Sequence, residues 1–492
     1  MKKNLKMLLE QYKSLSAPVK ASMWFLVCNV LQAGLGVIST PIFTRMMSTE
    51  EYGMFNTFNS WRSILMIFTS LNLSYGVFNN AMVKYEDSKT RDEYVSCMQG
   101  LYCLITLAFI CFYAIAWKWC NVVLGMSTEI VILLLLDLFC YPALLFWSGR
   151  QRYEFKYKWL VIITLIMSVL NIGLGIVFVK YAVHKDFAKI FSGVLVDVVF
   201  CGGFLIYQFF KGKKLCIPKF WTYALGFNIP LVPHYLSEII LNQSDRIMIS
   251  KIVSNSATAN YSIAYSIVTM LQLVMSAINA SFLPWAYGCI KRKKYSDMKK
   301  MVNILMIMIG SVIVVLMLFA PELIMVFAGE KYAEAVYVIP PIAMSIFFMF
   351  FYDMFSTVEF YYGKNIGVMI ASIISAALNV ALNAILIPRF GYYAAGYTTL
   401  VCYFLYALGH YFFYRSVCKK NMEGQRTYDE KSLFLGGVIM MAITLVINLI
   451  YPYMWIRYGL VLIIGILFFW KRNFWVEKFR VMKAEKDDRG SN

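Results

Sequence analysis

Seven ionisable side chains lie inside stretches of the chain that are otherwise apolar: Arg62, Asp137, Asp197, Glu238, Asp245, Arg246 and Asp353. A charge near the bilayer centre costs at least ~2.5–3.5 kcal/mol on insertion scales, so each implies a partner or a buried polar cavity. The densest pattern is His234, Glu238, Asn242 and Asp245. Their spacing of i, i+4, i+8 and i+11 puts all four on one helical face about 17 Å long. Pro230 and Pro233 come just before it, remove two donors and predict a bend. The stripe reads either as the lining of a cavity or as a polar seam in which Glu238 is paired.

Other polar residues extend this pattern. Asn29, Gln32 and Gly36 share a face early in the chain, as do Asn56, Asn59 and Ser63 just before the point where Arg62 either lines a cavity or snorkels outwards. Arg45 and Lys251 stand at helix ends, where anchoring at the interface is the plainer reading. Asp245 and Arg246 are adjacent and point to different faces. Asp353 sits deep with Ser356 and Thr357 on its face, whereas Glu359 is expected at the interface. His184 and His410 have no ligand-like neighbours and are given no role, and no metal site or catalytic set is assigned.

The elements that must position these groups are membrane helices. The 492-residue chain is 60% hydrophobic and only 15% charged, against a soluble average of roughly 45–50% and ~25%. About fourteen stretches reach the roughly 20 apolar residues that a span requires. They are placed at 20–43, 55–78, 97–120, 128–148, 157–180, 187–210, 221–250, 258–284, 301–320, 334–359, 366–388, 392–414, 432–451 and 454–471. The net charge of +19 is not a nucleic-acid signature, because its distribution follows the membrane. With the N-terminus inside, thirty-five of the 46 Lys and Arg fall on the inner side and ten on the outer. Both termini are therefore expected in the cytoplasm. The Lys291-Arg292-Lys293-Lys294 run reads as an orienting inner loop, with anionic lipid headgroups as a further partner.

No cleavable signal peptide is evident, and residues 1–19 read as an amphipathic stretch on the inner surface. The eleven cysteines form no C-x-x-C pair and behave as small apolar residues. The pairs Gly212-Lys213 and Gly363-Lys364 lack the other glycine and the hydroxyl of a phosphate-binding loop. Without an ATPase, a carrier must draw on an ion gradient, a substrate gradient or a partner.

Two halves of the chain echo each other. At an offset of 208, Tyr153 matches Tyr361, Lys156 matches Lys364 and Leu170-Asn171-Leu174 matches Leu378-Asn379-Leu382. Arg45…Tyr52 pairs loosely with Lys251…Tyr261, and Phe187, Gly193 and Phe209-Phe210 pair with Phe390, Gly396 and Phe412-Phe413. Six helices per half give both halves the same orientation, hence a parallel repeat. The expected organisation is an N-lobe at 20–210, a loop at 211–220, a C-lobe at 221–414, a loop at 415–431, two extra helices at 432–471 and a tail at 472–492.

TPIFTRMMSTEEYGMFN, NQSDRIMISKIVSNSATANYSIAY, GEKYAEAVYVIPPIAMS and LNVALNAILIPRFGYYAAGYTTL, in this order and spacing, resemble the Wzx-type polysaccharide-export flippases. These belong to the multidrug/oligosaccharidyl-lipid/polysaccharide (MOP) exporter superfamily. The resemblance implies an all-α integral membrane protein with a MATE-like V shape and alternating access, located in the bacterial cytoplasmic membrane. It implies an undecaprenyl-pyrophosphate-linked oligosaccharide as cargo, for O-antigen, capsule or exopolysaccharide, with a polymerase and chain-length machinery as downstream partners. It also implies a cationic cavity, for which Arg62 and Arg246 are the first choices, followed by Arg45, Lys251, Asn59 and Asn242. Arginine suits a diphosphate because its planar fork binds phosphate oxygens in pairs.

The sequence departs from a simple cationic cavity by having five buried acids against two arginines. Glu238 or Asp245 is expected to couple transport to H+ or Na+, with Asp353, Asp137 and Asp197 as further candidates. The carboxylate excess keeps a MATE-type multidrug exporter open as an alternative, and a lipid II flippase has a similar architecture. A membrane glycosyltransferase or polymerase is expected to need a sizeable outer loop, and every outer loop here is short.

Overall fold

A computed structural model describes residues 16–471, apart from the side chains of 365, 366, 368 and 468. The expected inner-surface helix and the 472–492 tail lie largely or wholly outside these residues. Among the described residues the structure is all-helical, and eleven helices are long and apolar enough to cross a membrane. Helices also occupy the other three expected spans, at Thr49–Ser70, Tyr392–Asn421 and Met454–Trp470. The protein is a multi-pass membrane protein.

The chain divides into two compact units, Met1–Ile239 and Ile240–Asn492. This division falls beyond the expected 211–220 loop, because the helix that follows the loop packs on the first unit: Trp221 donates to the Cys97 carbonyl at 2.8 Å and Asn228 to the Leu71 carbonyl at 2.9 Å.

The first unit contains α1 (Ala17–Met46), α2 (Thr49–Ser70), the short α3 (Gly76–Lys84), α4 (Ser88–Leu124), α5 (Thr128–Cys140), α6 (Pro142–Tyr153), α7 (Tyr157–Tyr181), α8 (Lys185–Gly212) and α9 (Pro218–Asn228). A capping box starts α2: Ser48 accepts from the Glu51 amide while Glu51 accepts from the Ser48 amide. The expected span 55–78 is thus broken, since Leu71 and Asn72 turn left-handed and end α2. Around Phe78, Phe146, Tyr94 and Phe220 an aromatic core binds α3, α4, α6 and α9. Gly100 lets the chain at Leu215 approach α4, since a Cβ there would stand 2.1 Å from the Leu215 carbonyl oxygen.

A short 3-10 turn, Ile229–Leu231, leads into α10 (Val232–Ile252), which runs from the first unit into the second. The second unit continues with α11 (Asn255–Lys291), α12 (Tyr295–Leu318), α13 (Ala320–Phe327), α14 (Ile339–Tyr361), α15 (Asn365–Phe390), α16 (Tyr392–Asn421), α17 (Glu430–Ile450) and α18 (Met454–Trp470). Helix α14 is its axis, with Phe347, Phe350 and Met354 fully enclosed. Helix α18 is tied by Arg457, which makes a two-pronged ion pair with Glu322 of α13 at 2.7 and 2.9 Å and donates to the Leu318 carbonyl.

The repeat has a backbone signature. Phe155 and Gly363, 208 residues apart, both take positive φ, at 55° and 68°. The next residues, Lys156 and Lys364, donate to the Gln151 and Glu359 carbonyls at 2.8 and 2.9 Å. The same turn closes the corresponding helix of each half.

Candidate functional site

In the first unit, three expected residues come together. Arg62 of α2 donates through Nε to Asp137 of α5, and through Nη2 to Asp137 Oδ1 at 3.1 Å and Asp197 Oδ2 of α8 at 3.0 Å. The Tyr141 ring lies 4.2 Å from the guanidinium carbon. The break between α5 and α6 positions these groups: Pro142 enters at the first helical position of α6, Tyr141 stands at the junction, and its amide still bonds the Asp137 carbonyl at 2.8 Å. Arg62 therefore neither snorkels nor offers an open fork, because two carboxylates already fill it. Asn59 is half-buried one turn earlier on α2, and its carbonyl accepts from Ser63.

Lys189 was not among the residues singled out from the sequence. Lys189 is only 5% exposed. Its Nζ donates to Asn171 Oδ1 at 2.9 Å and lies 4.2 Å from the Phe43 ring centre. Asn171 belongs to the repeated Leu-Asn-Leu motif, which was the available signal.

In the second unit the organising residue is Asp245, completely buried on α10. Thr399 of α16 donates to its Oδ2 at 2.9 Å, as does the Tyr261 hydroxyl of α11, and Asn383 of α15 donates to Oδ1 at 2.6 Å. Asn383 in turn accepts from Thr398, and Asn379 Oδ1 accepts from both Asn383 and Ser244. Four helices thus converge on one carboxylate. Arg246 points away from it, as expected, and its partners are neutral: the Asn242 carbonyl at 2.9 Å, Gln243 Oε1 at 3.2 Å, Ser262 Oγ at 3.2 Å and the Tyr265 ring at 4.4 Å.

The single-face stripe on α10 divides in the structure. Glu238 has a side chain 52% exposed beside His234 at 3.7 Å, whereas Asn242 accepts from Tyr265 and Asp245 is enclosed. Arg45 and Lys251 are exposed in the last turns of α1 and α10. Asp353 accepts from Asn279 of α11 at 2.7 Å, and Ser356 and Thr357 donate to its backbone carbonyl, not to its carboxylate.

Glu359, near the end of α14, is only 1% exposed, and His410 is fully buried against it. An apolar groove of about 710 Å³ lies between α14, α16 and α17. Phe348, Phe351, Phe355, Phe404, Phe434 and Met441 line it, and Tyr411, Glu430 and Lys431 mark its polar end.

Two ion clusters lie near helix ends. Arg150 pairs with Asp92, and Glu154 takes Arg150 at 2.8 Å and Lys156 at 2.5 Å. Partial burial works to raise Glu154, but these two cations outweigh it and hold the carboxyl below its ordinary range. At Glu322 burial is likewise outweighed, by hydrogen bonds from Arg457 and Tyr458.

The fold is that of the MOP exporters. The lipid II flippase MurJ in an inward closed conformation matches with a TM-score of 0.67 and 15% identity, over 92% of this chain and 99% of that one. An inward-facing multidrug resistance MATE family transporter of the MOP superfamily matches with a TM-score of 0.60 and 13% identity, over 79% and 96%. Residues 230–385 match the MatE family model.

Residues 19–287, more than half of the chain, match the polysaccharide biosynthesis protein family, and the chain belongs to that family. The Lsg locus putative protein 1 of Haemophilus influenzae is 29% identical over 169 residues, which span 32% of this chain and 40% of that relative's length. The protein is thus a multi-pass membrane protein of the polysaccharide biosynthesis family, with a fold shared by MurJ and MATE transporters.

Proposed function

We propose that the protein moves undecaprenyl-pyrophosphate-linked oligosaccharide repeat units from the inner to the outer leaflet of the bacterial cytoplasmic membrane, with both termini in the cytoplasm, for O-antigen, capsule or exopolysaccharide assembly. The observation that carries this reading is the apolar groove on the second unit. Its walls of phenylalanine suit a long hydrocarbon tail, and its polar end gives that tail a direction. Membership of a polysaccharide biosynthesis family supports the saccharide part of the cargo. Of the two expected arginines, Arg246 fits the diphosphate better, because its hydrogen bonds go to neutral oxygens of Asn242, Gln243 and Ser262 and not to carboxylates. Asp245, held by three donors and flanked by amide oxygens, is the better candidate for the coupling H+ or Na+.

The second reading, a cation-coupled drug exporter, is favoured by the MatE match across residues 230–385. The carboxylate excess no longer supports it strongly, since Asp137 and Asp197 are occupied by Arg62. Deletion of the gene separates the two. Lipid-linked repeat units accumulating on the inner leaflet support the flippase, and drug hypersensitivity with unchanged surface polysaccharide supports the exporter.

A further inference from the structure

Glu359 and His410 form a buried acid–imidazole pair that neither the diphosphate nor the Asp245 cluster uses. His410 Nδ1 lies 3.1 and 2.9 Å from the two Glu359 carboxylate oxygens, across the packed helices α14 and α16. Its other ring nitrogen, Nε2, is buried without a protein hydrogen-bond partner. The ring packs at steep angles against two tyrosines that stack on each other, with the Tyr352 and Tyr406 ring centres at 4.7 and 4.8 Å.

The remaining titratable neighbours are all acids or phenols. Asp353 on α14 lies within electrostatic reach of His410, and is itself bonded by Asn279 of α11. Tyr428, in the loop before α17, faces Glu359 and donates to the Met354 carbonyl at 2.8 Å. Among the described residues no lysine or arginine pairs with either member. With one proton between them the two side chains sum to zero charge, and without it to −1. A bare −1 in this enclosure is expensive, and the cost falls only if the helices part and admit water. Loss of one proton to water is therefore linked to opening of the pair.

The repeat sharpens this. At the 208 offset Glu359 corresponds to Gln151, and at the 203 offset His410 corresponds to Tyr207. The first unit has a neutral pair of residues where the second has a titratable one. A purely packing role would be served by either.

We propose that Glu359 and His410 together form a proton-binding site, distinct from the Asp245 cluster, through which proton uptake and release bias the second unit between closed and open arrangements. The proposal rests on the carrier reading only for its link to transport.

The test uses the purified full-length protein in lipid nanodiscs. Nitrogen-15 NMR of histidine side chains is tractable because the chain has three histidines, His184, His234 and His410. The His410 signal is assigned by its loss in His410→Gln or, should that variant not fold, by elimination in His184→Gln and His234→Gln. The expected result is that His410 changes protonation between about pH 5 and 9, and that Glu359→Gln displaces that change. A His410 signal fixed in one state over that range, or unmoved by Glu359→Gln, overturns the proposal. In proteoliposomes, Glu359→Gln should cut acceleration of cargo transfer by a pH gradient at least tenfold; wild-type acceleration in that variant equally overturns it. If the wild-type protein transfers no lipid-linked cargo, the flippase reading fails while the NMR result still decides the site.

Discussion

The two arginines expected inside the spans fall one in each unit, Arg62 in the first and Arg246 in the second, and are held in opposite ways. Arg62 is clamped by two carboxylates and a phenol ring, so the first unit has spent its cation on its own cohesion. Arg246 donates its hydrogen bonds to amide, hydroxyl and carbonyl oxygens, and the carboxylate of its neighbour Asp245 is bonded into a separate cluster. The difference teaches that two halves with matching helix ends can spend an arginine on ion pairs in one unit and leave it on neutral hydrogen-bond partners in the other.

The comparison is broken most severely at Arg62. Arg62→Ala leaves two buried carboxylates without a counter-ion and should cost about 3–5 kcal/mol of stability. Thermal unfolding followed by size-exclusion chromatography should show it, and Asp137→Asn combined with Asp197→Asn should restore part of the loss in that background.

Asp245→Asn and Arg246→Gln address the other unit. Each removes a charge from a hydrogen-bonded setting worth about 1.5–3 kcal/mol, so transport should fall roughly 10–100-fold. Unchanged transport rates and gradient dependence in both, at normal expression, would remove the second unit from the chemistry.

A smaller effect concerns the ion clusters at the helix ends. Because Glu154 and Glu322 are held below their ordinary range, their contribution is present above the unfolded value of about 4.3 and is lost as pH falls through the folded one. Arg457→Ala should lower stability by about 1–3 kcal/mol at neutral pH and by less in acid, when Glu322 is protonated. The smallest effect is Lys156→Ala, whose side chain is 65% exposed, at under about 0.5 kcal/mol in thermal unfolding.

The sequence made the helices legible because apolar length and inner-loop charge are one-dimensional properties. It also matched Lys156 with Lys364, although the turn they share came only from the structure. The seven ionisable residues inside apolar stretches were visible as well, yet their pairing was not. Asp137 and Asp197 lie 75 and 135 residues from Arg62, and only packing shows that all three meet. The face assigned to α10 was correct in register but held for only part of its length, because α11, α15 and α16 cover Asp245 and leave Glu238 exposed. Lys189 and Glu359 lie near helix ends and are nonetheless buried, because distance along the chain to a helix end says little about burial.

The most direct measurement is transfer of a fluorescent polyprenyl-diphosphate oligosaccharide across proteoliposomes containing the full chain, with Arg62→Lys and Arg246→Gln compared at equal incorporation. The account predicts protein-dependent transfer that Arg246→Gln lowers at least tenfold and Arg62→Lys lowers only in step with its loss of stability. No transfer above empty liposomes, or loss confined to the Arg62 variant at unchanged stability, would contradict it.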